Sequence, residues 1–420
     1  MLLASLAFVP AGLVAQDNGG SERKTEKTPA MSQKVYDALT KAQELIEEKK
    51  YNEGLAALRE LERQEGLEPY EKAQMYNYFA YTYFTMERYK DAIDAYRKVL
   101  AQPELPTGLV RNSLYTVAQL YFITEEYRNA VDTINKWFEV AEKPTENAYM
   151  LLGQGYYQLE EYKKALDPLK KAYRMVREKG EKPKENLLLL LRVIYFNLED
   201  YQNMIAILKE LVDMYPKNEY WLTLAGVYSE LKQYEKQMSI LEILYERGAL
   251  ERGAQQLNLA NLFLLNDVPY KAAQVLEKGI NEGKIEEDVR NLRLLSQAWS
   301  QAQYPEESIP PLKKAAQKSD DGDLHMRLAQ SYINLDRYEE AVSELRTAFD
   351  KGNLKRPDQA RVMLGMALFE LERFDASKEA FRLASRDDRS RKAAEQWLSY
   401  VSNEQTRKDQ LRKSLEQRRQ

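Results

Sequence analysis

The stretch Glu87–Leu100, ERYKDAIDAYRKVL, returns as EEYKKALDPLKKAY at Glu160–Tyr173 and as DRYEEAVSELRTAF at Asp336–Phe349. In each copy an aromatic is followed three places later by a small residue, and four places after that by a large apolar one. The triplets are Tyr89, Ala92, Tyr96; Tyr162, Ala165, Leu169; and Tyr338, Ala341, Leu345. Offsets of three and four place such side chains on one face of an α-helix. The same register continues as Gly54, Ala92, Ala130, Ala165, Met204, Gln237, Ala272, Ser308, Ala341 and Ser377, at intervals of 33 to 39 residues. Twelve positions before most of these stands a second small residue: Ala42, Ala80, Ala118, Gly153, Ala225, Ala260, Ser296, Ala329 or Gly365. An aromatic usually follows it three later, as at Tyr83, Tyr121, Tyr156, Tyr228 and Trp299. Each unit is thus two helices, A and B.

Antiparallel helices approach to about 8–10 Å where small side chains meet, while large ones fill the space on either side. One hairpin buries too little apolar surface to stand alone, so units must stack and the register must repeat. This pattern of small and aromatic positions resembles the tetratricopeptide repeat. The expected fold is therefore all-α: a right-handed α-α superhelix of about ten hairpins over residues 35–385, least regular at its ends. Residues 386–420 should supply a capping helix, with Ala394, Trp397, Leu398 and Val401 as its apolar stripe, and a charged tail that is solvated or frayed. Arg192 stands where the fifth unit should have a small helix-A residue, and Met204 and Gln237 are large, so looser packing is expected between about 190 and 240. Pro168 and Pro311 share one helix-B position, where an interior proline costs ~3 kcal/mol, so the helix should kink or start late. Pro269 and Pro305 fall near the first turn of helix B, where no N–H is needed.

Composition narrows the function classes. With 420 residues, 30% charged, and a formal net charge of −4, the chain has no global basic field, and nucleic acid is not an expected partner. The absence of cysteine removes disulfides, zinc–cysteine sites and thiol nucleophiles. Leu2 to Ala15 is an uncharged apolar run that reads as a secretory signal over 1–15, cleaved after Ala15, followed by a flexible leader over 16–34. The run is short for a membrane span, which takes ~20 residues, so the mature chain should be soluble in an exported compartment without an integral span.

No phosphate-binding glycine motif, serine elbow or HExxH sequence occurs, and neither catalytic, cofactor nor metal residues are expected. The single histidine, His325, occupies the packing position of Tyr76, Tyr149 and Trp221. Acidic pairs such as Glu125–Glu126, Glu160–Glu161, Glu286–Glu287 and Asp320–Asp321 read as helix ends and turns rather than ligand sets. A different kind of site is suggested one place after the helix-A aromatic, where units two to five carry Phe84, Phe122, Tyr157 and Phe196. Asn112, Asn147 and Asn186 recur near the start of helix A in units three to five, expected to supply amides beside those rings. Rings flanked by amides suit an extended or polyproline-like peptide. The alternative is that the rings pack against adjacent helices.

Five phrases resemble a narrower family: KTPAMSQKVYDAL at the start, YWLTLAGVYSEL, NLANLFLLNDVPYKAAQVLEKGI, NLRLLSQAWSQA and LGMALFEL. They are similar to the exported tetratricopeptide proteins of Gram-negative bacteria associated with TonB, ExbB and ExbD. The resemblance implies a non-enzymatic periplasmic adaptor serving TonB-dependent uptake, typically of ferric siderophores, with TonB, ExbB or ExbD as partners. A general envelope-assembly or secretion scaffold would use the same groove for another client.

Overall fold

The computed structural model describes residues 29–419, and all regular structure among them is helical. The helices are α1 (Gln33–Glu47), α2 (Tyr51–Glu62), α3 (Pro69–Thr85), α4 (Tyr89–Leu100), α5 (Thr107–Ile123), α6 (Tyr127–Val140) and α7 (Glu146–Gln158). They continue as α8 (Tyr162–Glu178), α9 (Glu185–Asn197), α10 (Tyr201–Met214), α11 (Asn218–Glu230), α12 (Tyr234–Glu246), α13 (Gly253–Leu265) and α14 (Pro269–Asn281). The last are α15 (Val289–Gln301), α16 (Pro305–Gln317), α17 (Gly322–Ile333), α18 (Tyr338–Lys351), α19 (Pro357–Glu370), α20 (Phe374–Ala384) and α21 (Arg391–Arg419). Two compact units result, the first ending at Tyr220 and the second beginning at Trp221, inside α11. Five hairpins, from α1–α2 to α9–α10, stack in the first unit. In the second, four hairpins from α13–α14 to α19–α20 stack, and α21 packs on α20 as the expected cap.

The small-residue register is the hairpin seam. Ala80 and Ala92, Ala118 and Ala130, Ala260 and Ala272, and Ala329 and Ala341 are all 0% exposed. In the tenth hairpin the seam residues bond directly: Ser377 Oγ donates to the Gly365 carbonyl, twelve residues away, at 2.7 Å. A Cβ on Gly365 would lie 2.7 Å from the Phe381 ring, so only glycine fits. Phe381 in turn stacks on Trp397 of α21 at 5.5 Å and 5°, which joins the seam to the cap. In the fifth hairpin Met204 and Arg192 replace small residues; Met204 is buried, whereas Arg192 is pushed half into solvent.

Helix α8 runs through Pro168 and α16 through Pro310 and Pro311 without starting late. Pro269 and Pro305 sit in the first turns of α14 and α16. The signal expectation for 1–15 and most of the leader lie outside the described residues. The leader's described end is ordered by contacts: α1 begins at Gln33, and Ser32 donates through N–H and Oγ to Glu71 Oε1 at 2.8 and 2.7 Å.

One device that closes the hairpins left no obvious trace in the register. The A–B turn of each unit holds a non-glycine residue in the left-handed region: Lys49, Glu87, Glu125, Glu160, Glu199, Lys232, Asp267, Gln303, Asp336 and Glu372, with φ of 55–65°. Each lies five places before the helix-B seam residue. The following N–H returns to the carbonyl of helix A, as from Arg88 to Tyr83, Glu126 to Tyr121 and Glu161 to Tyr156, all at 2.8 Å. This closes the helix end by a Schellman pattern in which glycine is usual.

The cap is anchored by a buried carboxylate. Asp358 accepts from Arg356 at 3.0 and 2.7 Å and from Ser390 Oγ, beside the start of α21, at 2.6 Å. Hydrogen bonding from Arg356 holds its carboxyl well below the usual aspartate range against the opposing effect of burial. Beyond Val401, α21 continues as a polar, largely exposed helix.

Candidate functional site

In the first unit, A helices of successive hairpins touch one another, α1 with α3, α5 with α7 and α7 with α9, whereas the B helices do not approach comparably. Crowding on the A side makes it the inner face of that stack. The side chains facing inward form a stripe along each A helix at offsets of three, seven and ten residues, one helical face. In α5 the stripe is Asn112, Tyr115, Gln119 and Phe122; in α7 it is Asn147, Met150, Gln154 and Tyr157.

The structure places the expected site residues at the two ends of this stripe. Ten residues of α-helix span about 15 Å, so Asn112, Asn147 and Asn186 stand at one end and the rings at the other, rather than beside each other. Asn112 and Asn147 are exposed; Asn186 is half-buried, and its Oδ1 is buried without a hydrogen-bond partner. The amides that do sit near the rings are Gln119 and Gln154, one turn before Phe122 and Tyr157. A search for amides at the seven-residue offset, and not only at the helix start, finds them.

The rings differ in access. Phe84 meets Tyr89 at 5.9 Å, Phe122 meets Tyr127 at 5.8 Å and Tyr157 meets Tyr162 at 6.1 Å, so each packs on the first aromatic of its own B helix across the A–B turn. Phe122 is 9% exposed and lies under α7, where a Cβ on Gly155 would come within 3.2 Å of it. It is floor rather than ladder. Phe84 and Tyr157 are half-buried, and Phe196 is 55% exposed. Ring packing and an open inner surface therefore coexist, and Phe196 is the most accessible of the four rings, with Phe84 and Tyr157 half-buried.

Nothing comparable surrounds the titratable groups. His325 is buried in the α17–α18 hairpin with Nδ1 2.6 Å from Glu344 Oε2. Among the described residues no group of three or more His, Asp or Glu could hold a metal ion, and no helix is long and apolar enough to cross a membrane. Glu125 and Glu160 are the left-handed turn residues described above, and Glu161 pairs with Arg128 at 3.0 Å and Lys164 at 2.8 Å.

Family models of the tetratricopeptide repeat agree with the hairpin geometry. Residues 39–106 and 326–395 match one tetratricopeptide-repeat family model and residues 188–218 match another. Residues 110–172 match the model of anaphase-promoting complex, cyclosome, subunit 3. No curated protein matches the chain. Among solved structures, the TPR2AB domain of yeast Sti1 in complex with pHSP90 is 16% identical, covering 70% of this chain and 99% of its own, with a TM-score of 0.34. A tetratricopeptide repeat protein from Parabacteroides merdae is 14% identical, covering 63% and 99%, with a TM-score of 0.36. YrrB, a TPR protein described as having an unusual peptide-binding site, is 14% identical, covering 44% and 95%, with a TM-score of 0.34. Paired helices with buried small-residue seams, together with these family matches, make the chain a tetratricopeptide-repeat protein.

Proposed function

We propose that the protein is a non-enzymatic adaptor that holds an extended segment of a partner protein along the inner face of its first unit. The observation that carries this reading is the exposed ring of Phe196 together with the half-buried ring of Tyr157, at one end of stripes that also present amides. Rings offer stacking area and amides offer both donors and acceptors to a peptide backbone. Within the cell the proposed setting is the periplasm of a Gram-negative bacterium, as an accessory of a TonB–ExbB–ExbD system for nutrient uptake such as that of ferric siderophores. Support for the setting comes from the apolar start of the sequence and from the resemblance of five phrases to TonB-associated repeat proteins.

Cross-linking in living cells followed by purification of the full chain tests the setting. TonB, ExbB or ExbD should be recovered with the protein, and recovery should fall when Tyr157 and Phe196 are both replaced by Ala. Recovery of none of the three, with a different envelope protein captured through the same rings, would replace the TonB setting by a general assembly scaffold. N-terminal sequencing of the mature protein should begin near Gln16; recovery of Met1 would count against cleavage of a signal.

A further inference from the structure

We propose that the inner face of hairpins two to five selects a segment that carries no charged side chains. This rests on reading that face as a binding surface and adds the chemical class of what it binds. From Asn112 to Ile123 helix α5 contains no charged residue, and neither does α7 from Asn147 to Gln158 or α3 from Ala73 to Thr85. In α9 the one charge after the first turn is Arg192, which occupies the seam register rather than the inward stripe. The B helices of the same hairpins all carry charges, five in α4, four in α6, eight in α8 and three in α10, so the neutrality belongs to one side of the stack and not to the unit as a whole.

A charged side chain entering between half-buried walls would lose water without gaining a counter-charge, and burial of an unpaired charge is strongly unfavourable. A neutral segment meets no such obstacle. Its peptide groups find Gln154 and Asn147, each with an acceptor oxygen and two donor hydrogens, and its apolar or proline side chains find Tyr157 and Phe196. Glutamates flank this face at both ends: Glu87, Glu125, Glu160 and Glu199 are exposed at the A–B turns, outside the stripe, and Glu146 and Glu185, next to Asn147 and Asn186, are already paired with Lys179 at 3.0 Å and Lys217 at 2.6 Å.

The test uses the full-length protein and three fluorescein-labelled peptides of equal length. One repeats Ala-Pro-Gln-Pro, and the other two carry Glu or Lys in place of each Gln. Anisotropy titrations at low and high salt should show the Gln peptide binding at least about tenfold more tightly than either charged one, with no salt dependence. Gln154→Lys should move the preference toward the Glu peptide. Binding of the Glu or Lys peptide as tight as that of the Gln peptide overturns the inference. In particular, salt-sensitive capture of the Lys peptide that disappears in Glu125→Gln/Glu160→Gln would assign recognition to the acidic turns. If no peptide shows binding that Tyr157→Ala/Phe196→Ala weakens, the binding-face reading itself fails, and not only its charge selectivity.

Discussion

Between Asn147 and Gln158 helix α7 carries no charge, whereas its hairpin partner α8 carries eight charged residues between Lys163 and Glu178. The two sides of the first unit are also joined by different forces. On the B side, ion pairs link consecutive hairpins, Lys98 with Glu62 at 3.5 Å and Arg177 with Glu210 at 2.8 Å. On the A side, contact is apolar and close, as where the Phe122 ring lies against Gly155. Exposed ion pairs contribute little to stability, so the outer charges serve mainly solvation, and substitutions there should be tolerated. The inner face lacks that freedom. Its half-buried rings and amides must satisfy both packing and any ligand.

If this division is right, changes to the shared interior should exceed those on either surface. Phe381→Ala removes a fully buried ring wedged between Gly365 and Trp397, and should destabilise the second unit by about 3–5 kcal/mol in denaturant titrations. A smaller effect is expected at the cap. Because the Asp358 carboxyl is held below its ordinary range, its contribution is fully present above the unfolded aspartate pKa and lost only as pH falls through the folded one. Protection factors of the amides in the first half of α21, taken relative to the intrinsic exchange rate at each pH, should therefore stay constant from neutral to mildly acidic pH and fall in strong acid. Asp358→Asn should lower protection at neutral and mildly acidic pH, with the difference closing in strong acid; an unchanged pattern would remove Asp358 as the anchor.

Glu160→Gly relieves a left-handed residue with φ of 58° and should raise stability by roughly 0.5–1 kcal/mol, the steric gain being partly offset by glycine's greater freedom in the unfolded chain. The smallest effect belongs to the outer pairs. Lys98→Ala breaks an exposed 3.5 Å pair with Glu62 on the B side of the first unit and should change stability by less than about 0.5 kcal/mol. A loss of several times that amount would break the comparison, because the B side would then carry structural weight.

Much of this organisation was legible in sequence, for a physical reason. Close helix approach tolerates few residue types, so the seam at Ala80–Ala92 or Gly365–Ser377 is written as small residues at a fixed spacing of twelve. Aromatics such as Tyr83 and Tyr121 mark the same seam from the side. The A–B turn was not legible, because its left-handed residue is usually glycine and here is Glu, Asp, Lys or Gln, types that also suit any exposed helix end. The binding face was legible only in part. Periodicity placed the four rings at one position but could not rank their exposure: α7 at Gly155 lies over Phe122, whereas Phe196 is 55% exposed. Adjacency was also misjudged for Asn112 and Asn147, since a shared helix and a shared face still allow about 15 Å between residues ten apart.

The central claim is that the inner face of the first unit binds a peptide through its accessible rings. Calorimetric titration of Tyr157→Ala/Phe196→Ala with the neutral Ala-Pro-Gln-Pro peptide, beside thermal melts of the same protein, tests it most directly. Anchor residues of this kind cost 2 kcal/mol or more on truncation, so affinity should fall by roughly thirtyfold. The melting temperature should move little, because neither ring is part of the buried seam. Unchanged affinity together with a large drop in melting temperature would contradict the account and reduce the rings to packing.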